Sequence, residues 1–195
     1  MSGARVYLAG PEVFLRDARD IGESKKSLCR VYGLEGLFPM DEKLGPCAKD
    51  VDIYRANVEL MKSAKFGVFN LTPFRGTAAD VGTVFELGLM RGLGKHCLGY
   101  TNDVRDLRER VASATEVWHD QADGTWRDHF NMSVENFGNA DNLMIDCSLR
   151  EGGFAIVRNS VPVQNLYTDM RGFEVCLKLI EAKVRGRSAL KGKVA

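Results

Sequence analysis

Two carboxylates on one short stretch, Asp80 and Glu86, and one phenol far upstream, Tyr7, are the side chains whose types suit bond-making chemistry. Glu86 stands between Phe85 and Leu87, with Gly82 and Gly88 nearby, where backbone or ligand can approach closely. A carboxylate in that company can capture or stabilise a developing cation, and burial would raise its pKa. Asp80 is a candidate general acid for a leaving group. The Tyr7 hydroxyl needs a hydrogen-bond partner if its strand is buried, and a carboxylate would serve. Each residue also has an ordinary reading: Asp80 as a helix cap, Glu86 as a solvated helix residue, Tyr7 as a core tyrosine bonded to backbone.

These residues must be carried by strands, loops and helices that the sequence marks well. The β-prone run Phe66–Leu71 stops at Pro73, Arg75 and Gly76 and reads as a buried strand ending in a loop. Beyond it Val81, Val84, Phe85, Leu87 and Leu89 fall on helical spacing behind Asp80. Arg5–Ala9 is a first strand with Tyr7 at its centre, ended by Gly10 and Pro11. Between these lie a helical pattern from Phe14 to Tyr32, interrupted near Gly22, and a second strand from Leu34 to Met40, cut short at Pro39. Met40 and Asp41, entering the polar turn that runs to Pro46, are placed to face a ligand. Asp50–Ser63 is a further helix and carries Asn57, and Lys95–Tyr100 is a fourth strand.

The order βαβαβαβ predicts an α/β fold, a flavodoxin-like doubly wound parallel sheet of about five strands with helices on both faces. Ligands bind such sheets beyond the carboxyl ends of the strands, where the loop before Asp80 lies. Later in the chain come a charged helix over Val104–Ala112, an irregular segment over Thr115–Asn139 with Trp118 and Trp126, a weak strand at Phe154–Val157 and a helix from Leu166 to Val184. The whole is expected to be one domain, with an insertion at 113–140 and a basic tail from 185.

Composition narrows the class of partner. With 27 Lys and Arg against 26 Asp and Glu in 195 residues, the formal charge of +1 offers no general attraction to nucleic acid or anionic membrane, so a small molecule is expected. The basic residues Lys183, Arg185, Arg187, Lys191 and Lys193 read as a solvated terminus. The 5 cysteines are scattered without a C-x-x-C pair, which argues against a disulfide framework and a zinc site, so no metal is expected. Neither phosphate-loop motif nor a G-x-S-x-G elbow occurs, and no cofactor is expected. The N-terminus leads straight into a strand without a long apolar segment, and a cytoplasmic location is the expectation.

Taken together, Tyr7, Gly10-Pro11, Asn70-Leu-Thr-Pro-Phe-Arg-Gly76, Asp80-Val-Gly-Thr-x-x-Glu86-Leu-Gly88 and Asn142-Leu-Met144 resemble the nucleoside 2-deoxyribosyltransferase family across Arg5 to Met144. The resemblance implies 2′-deoxyribonucleosides and free nucleobases as substrates, exchanged by a retaining double displacement. It makes Glu86 the group that attacks C1′, Tyr7 the phenol that holds it and Asp80 the carboxylate that contacts the base. Pro39, Met40 and Asp41 match the base-pocket loop, and Gly10 and Gly82 join the substrate-binding set. Asn142 and Met144 match residues that bind the sugar's 5′-hydroxyl from a neighbouring subunit, so a homo-oligomer is implied. Some members carry aspartate where this chain has Asn57, which can hydrogen-bond but cannot donate a carboxylic proton. Two alternatives stand beside this: an N-glycosidase acting on deoxynucleoside 5′-monophosphates, with Arg75 and Thr77 as phosphate partners, and a nucleoside-binding regulatory module without turnover.

Overall fold

The first strand, β1 (Ala4–Ala9), divides the core in two by its alternation, because successive side chains of a strand face opposite sides of a sheet. Val6 and Leu8 pack with Phe38, Phe66, Val68, Leu98, Phe173 and Leu177 on one face. Tyr7 and Ala9 pack with Leu37, Met61, Phe69, Leu87 and Met90 on the other. The ring of Tyr7 is therefore delivered to the same side as Leu87, and so to the helix that carries Glu86. The structure, a computed structural model, describes residues 3–41, 45 and 47–191, with side chains to 186.

Beside β1 run β2 (Leu34–Leu37), β3 (Phe66–Asn70), β4 (His96–Thr101) and the short Val157–Arg158, all parallel. Their order is β2, β1, β3, β4 and then Val157–Arg158, so the chain steps to one side of β1 and then returns to the other. Such a reversal leaves a crevice between the carboxyl ends of β1 and β3. The helices α1 (Ala18–Val31), α2 (Asp50–Ser63) and α3 (Val81–Gly92) connect these strands. Helices α2 and α3 cover the Tyr7 face and α1 covers the other, as expected of a doubly wound α/β sheet. Further on come α4 (Leu107–Ala114), the hairpin strands β5 (Val117–His119) and β6 (Trp126–Asp128), then α5 (Leu143–Glu151) and, after the fifth sheet strand β7 (Val157–Arg158), α6 (Arg171–Lys191).

Several local expectations are corrected. Helix α1 is not broken at Gly22. A Cβ at that position would lie 2.6 Å from Phe38 Cδ1, so the glycine is there to seat a ring rather than to end a helix. The helix begins only at Ala18, because Pro11–Phe14 form a separate 3-10 turn. The irregular segment contains the β5–β6 hairpin, and α5 is a further helix for which the sequence pattern gives no assignment. Helix α6 starts later than Leu166 and runs past Val184 to Lys191; Lys193 and Pro46 lie outside the described residues. Among the described residues no helix is long and apolar enough to cross a membrane.

Replacing Gly22 by alanine would gain about 1 kcal/mol in helix propensity, while forcing a methyl group into a filled site typically costs about 1–3 kcal/mol. We expect the net effect of Gly22→Ala to be destabilising, read as a lower midpoint in a thermal melt. An unchanged or higher midpoint would show that Phe38 has room to move.

Candidate functional site

Tyr7 is fully buried in β1, and its hydroxyl donates to Glu86 Oε1 at 2.6 Å. The bond joins residues 79 positions apart in the chain and exists because β1 and β3 are neighbours and α3 packs across them. Asp80 caps α3, its Oδ2 accepting from the Thr83 amide at 2.9 Å and the Thr83 hydroxyl at 3.0 Å. The ordinary cap reading of Asp80 is thus correct as far as it goes, and the cap fixes the carboxyl in place. A Cβ on Gly82 would come within 3.1 Å of Asp80 Oδ2, so the glycine leaves that carboxyl unobstructed.

A cavity of about 260 Å3 opens over this group, lined by Gly10, Val13, Phe14, Pro39, Met40, Ile53, Asn57, Asp80, Gly82, Thr83 and Glu86. It brings together Gly10, Pro39, Met40, Asn57, Asp80, Gly82 and Glu86 of the expected set. Asn57 Oδ1 is buried and finds no protein partner among the described residues, which leaves an acceptor for a ligand's N–H or O–H.

Asp41 is different. Its Oδ2 accepts from the Phe38 amide at 2.8 Å and its Oδ1 from Lys26 Nζ at 2.5 Å, so the carboxylate ties the turn after β2 to α1 and is not among the residues lining the cavity. Asn142 and Met144 also lie elsewhere. Asn142 caps α5 through Oδ1, at 3.0 Å from the Met144 amide, and donates from Nδ2 to Glu135 Oε1 at 2.6 Å, while Met144 is 71% exposed.

Sequence reasoning missed Val13, Phe14, Ile53 and Thr83 as wall residues. Thr83 carried a signal, since it sits at the third helical position behind a capping aspartate. Phe14 carried a weaker one in following Gly10-Pro11. Its ring stacks on Phe74 at 5.2 Å, with the Arg75 guanidinium over both rings. Also missed was Glu12, wholly buried, which accepts from Asn70 Nδ2 at 2.8 Å, pairs with Lys25 and backs Gly10 from beneath. Among the described residues no group of three or more His, Cys, Asp or Glu could hold a metal ion.

Burial pushes the Glu86 carboxyl up to about 7; the Tyr7 hydrogen bond opposes this and the Asp80 charge adds to it. The Tyr7 hydrogen bond favours the ionised carboxylate, and burial is the larger, opposing effect. Burial and the neighbouring Glu86 raise the Tyr7 phenol far above its ordinary range, so it stays a donor. The consequence for stability has a definite sign. The folded value of about 7 exceeds the ordinary 4.5, so the folded chain holds a proton that the unfolded chain has released. Stability from this group is intact below pH 4.5, declines as pH rises toward 7, and above that is lower by about 3 kcal/mol. Urea midpoints from pH 4.5 to 8 should show this decline in the native chain and lack it in Glu86→Gln; equal pH slopes in both would refute it.

The nucleoside 2-deoxyribosyltransferase family model matches residues 6–144. An uncharacterized protein of Schizosaccharomyces pombe is 32% identical over 173 residues, covering 80% of this chain and 82% of that protein. The solved structure of a 2-desoxiribosyltransferase from Leishmania mexicana is similar at 31% identity and a TM-score of 0.59, covering 73% of this chain and 85% of that one. A conserved protein from Enterococcus faecalis V583 shares the fold, at 17% identity and a TM-score of 0.52 over 80% of this chain and 92% of its own. With its family model matched from the first strand to the cap of α5 and the parallel five-stranded sheet in place, the chain belongs to the nucleoside 2-deoxyribosyltransferase family.

Proposed function

We propose that the chain exchanges the base of 2′-deoxyribonucleosides through a covalent deoxyribosyl–Glu86 intermediate. The observation that carries this is the 2.6 Å bond from Tyr7 to Glu86 at the wall of a cavity that also holds Asp80. In the first step, with the one proton shared by the two carboxyls resting on Asp80, a Glu86 carboxylate oxygen bonds to C1′ as the C1′–N bond breaks, and the departing base takes that proton. In the second, the incoming base attacks C1′ from the face the first one left, returns a proton to Asp80 and releases Glu86. Two inversions give net retention at C1′. Tyr7 aims Glu86 and offsets part of the burial that would keep it protonated.

Preference for the 2′-deoxy sugar would come from a wall at C2′ without a donor, since a ribose hydroxyl buried unpaired costs about 1–3 kcal/mol. Asn142 and Met144 are proposed to reach the sugar of a neighbouring subunit's site in a homo-oligomer. What supports this is that they lie outside their own chain's cavity, while Val81, Phe85 and Tyr54 form an exposed apolar surface on α2 and α3.

Incubation with deoxyinosine and free adenine should yield deoxyadenosine. Release of hypoxanthine without it would mark a hydrolase, and saturable binding with no free base a regulatory module. One observation favours the second enzyme reading, a 5′-monophosphate N-glycosidase: the Arg75 guanidinium stacks on Phe14, a cavity wall, and could receive a phosphate. Rates on deoxyinosine and on its 5′-monophosphate decide between them.

A further inference from the structure

Arg110 of α4 is an arginine with almost no solvent access, its side chain 2% exposed, and it is absent from the cavity wall. Its Nε donates to the Thr77 carbonyl at 2.7 Å, and its Nη2 donates to Asp141 Oδ2 at 3.2 Å. That same Asp141 oxygen accepts from the Ala79 amide at 2.9 Å, while Oδ1 accepts from the Asn142 amide at 2.8 Å. One buried pair thus grips the residue before Asp80 on one side and the residue that caps α5 on the other. Asp146 secures the arrangement from below, accepting from the Asp141 amide at 2.9 Å, and the Leu107 amide donates to the Asn139 carbonyl at 3.0 Å.

Stability alone is a poor reason for such a pair. Burial pushes Asp141 up and Arg110 down, and taking two charges out of water commonly costs as much as their attraction returns. What the pair supplies is a fixed distance between two backbone segments.

We infer that Arg110 and Asp141 are positioning residues that lock the Asp80 loop to the Asn142 segment, so that the acid of a subunit's own site and the group it lends to its neighbour move as one unit. This rests on the proposed exchange reaction and on Asn142 serving a neighbouring site. Neither side chain touches substrate; each acts through Thr77 and Ala79 on one side and through Asn142 on the other.

The test is a set of double-variant comparisons of kcat and KM for base exchange. Arg110→Lys keeps the charge but loses the planar fork, and is expected to lower kcat/KM about 10- to 100-fold, with kcat falling and KM rising together. In an Asp80→Asn or an Asn142→Ser background the same change should cost a smaller factor than in the native chain, because one of the two groups it positions is already lost. A purely structural arginine would cost the same factor in every background, and that result overturns the inference. Asp141→Asn, which keeps acceptor Oδ1 and its size, should behave as Arg110→Lys does; full activity in both variants also overturns it.

If the native chain exchanges no bases, the functional reading fails, and the inference is then decided without ligand by amide hydrogen exchange. In Arg110→Lys the Ala79 and Asn142 amides should speed up together, by about tenfold or more, with β3 amides unchanged. Acceleration of neither or of only one, or of the whole domain alike, overturns the coupling.

Discussion

Glu86→Gln is expected to lower base exchange by about 10^4-fold or more, because an uncharged amide cannot form the sugar ester on which the second step depends. The substitution is a controlled one. Glutamine has the same length and retains an oxygen that can accept the 2.6 Å bond from Tyr7, so the wall of the cavity is kept. It also removes a carboxyl whose charged form is disfavoured by burial, so above pH 7 the variant should be more stable than the native chain by about 3 kcal/mol. Loss of activity with gain of stability is the signature of a group held for chemistry at the fold's expense. Two measurements decide it: deoxyadenosine formed from deoxyinosine and adenine, and urea unfolding at pH 8. Undiminished product from the variant would remove Glu86 from the mechanism. A destabilised variant would mean that the carboxylate belongs to the packing instead.

The same carboxyl sets the pH dependence of the first step. The step needs Glu86 ionised with a proton on Asp80, one proton for the pair, so kcat/KM should fall as pH rises above about 7, where the pair gives that proton up. A fall already setting in near 4.5 would show that the free site is more solvated than its burial implies.

Much of this site could be read in the sequence because its chemistry rides on regular elements. The β-prone run Arg5–Ala9 put Tyr7 in a strand, and the helical spacing behind Asp80 put Glu86 on a capped helix. What stayed hidden depends on partners distant along the chain. Glu12, Lys25, Arg110 and Asp141 look like surface charges in a linear reading, and only the packed sheet shows that each is buried and paired. Gly22 looked like a helix breaker because nothing nearby in sequence reveals the Phe38 ring against it. The hairpin and α5 were missed for a different reason. Strands of 3 residues and a helix of 9 are too short for periodicity to declare, and they are held by tertiary bonds such as Asp120 to Arg127 and Glu135 to the Leu143 amide.

Two inactive proteins should restore one another when mixed, and the expected yield follows from symmetry. Glu86→Gln lacks the nucleophile, whereas Asn142→Ser lacks the reach to a neighbour's sugar while serine still caps α5. In a two-fold assembly mixed at equal amounts and allowed to exchange subunits, about half the dimers carry one of each variant. Such a dimer has one site built from intact Glu86 and intact Asn142, and one site lacking both. Activity should therefore return to about a quarter of the native level, against almost none for either variant alone. The recovery is large because it does not depend on partial function in either protein. If each site were complete within one chain, mixing would only average two defective proteins and nothing would return. Subunit exchange must be verified separately, with differently tagged chains purified together, so that a flat result counts against the shared site and not against the mixing.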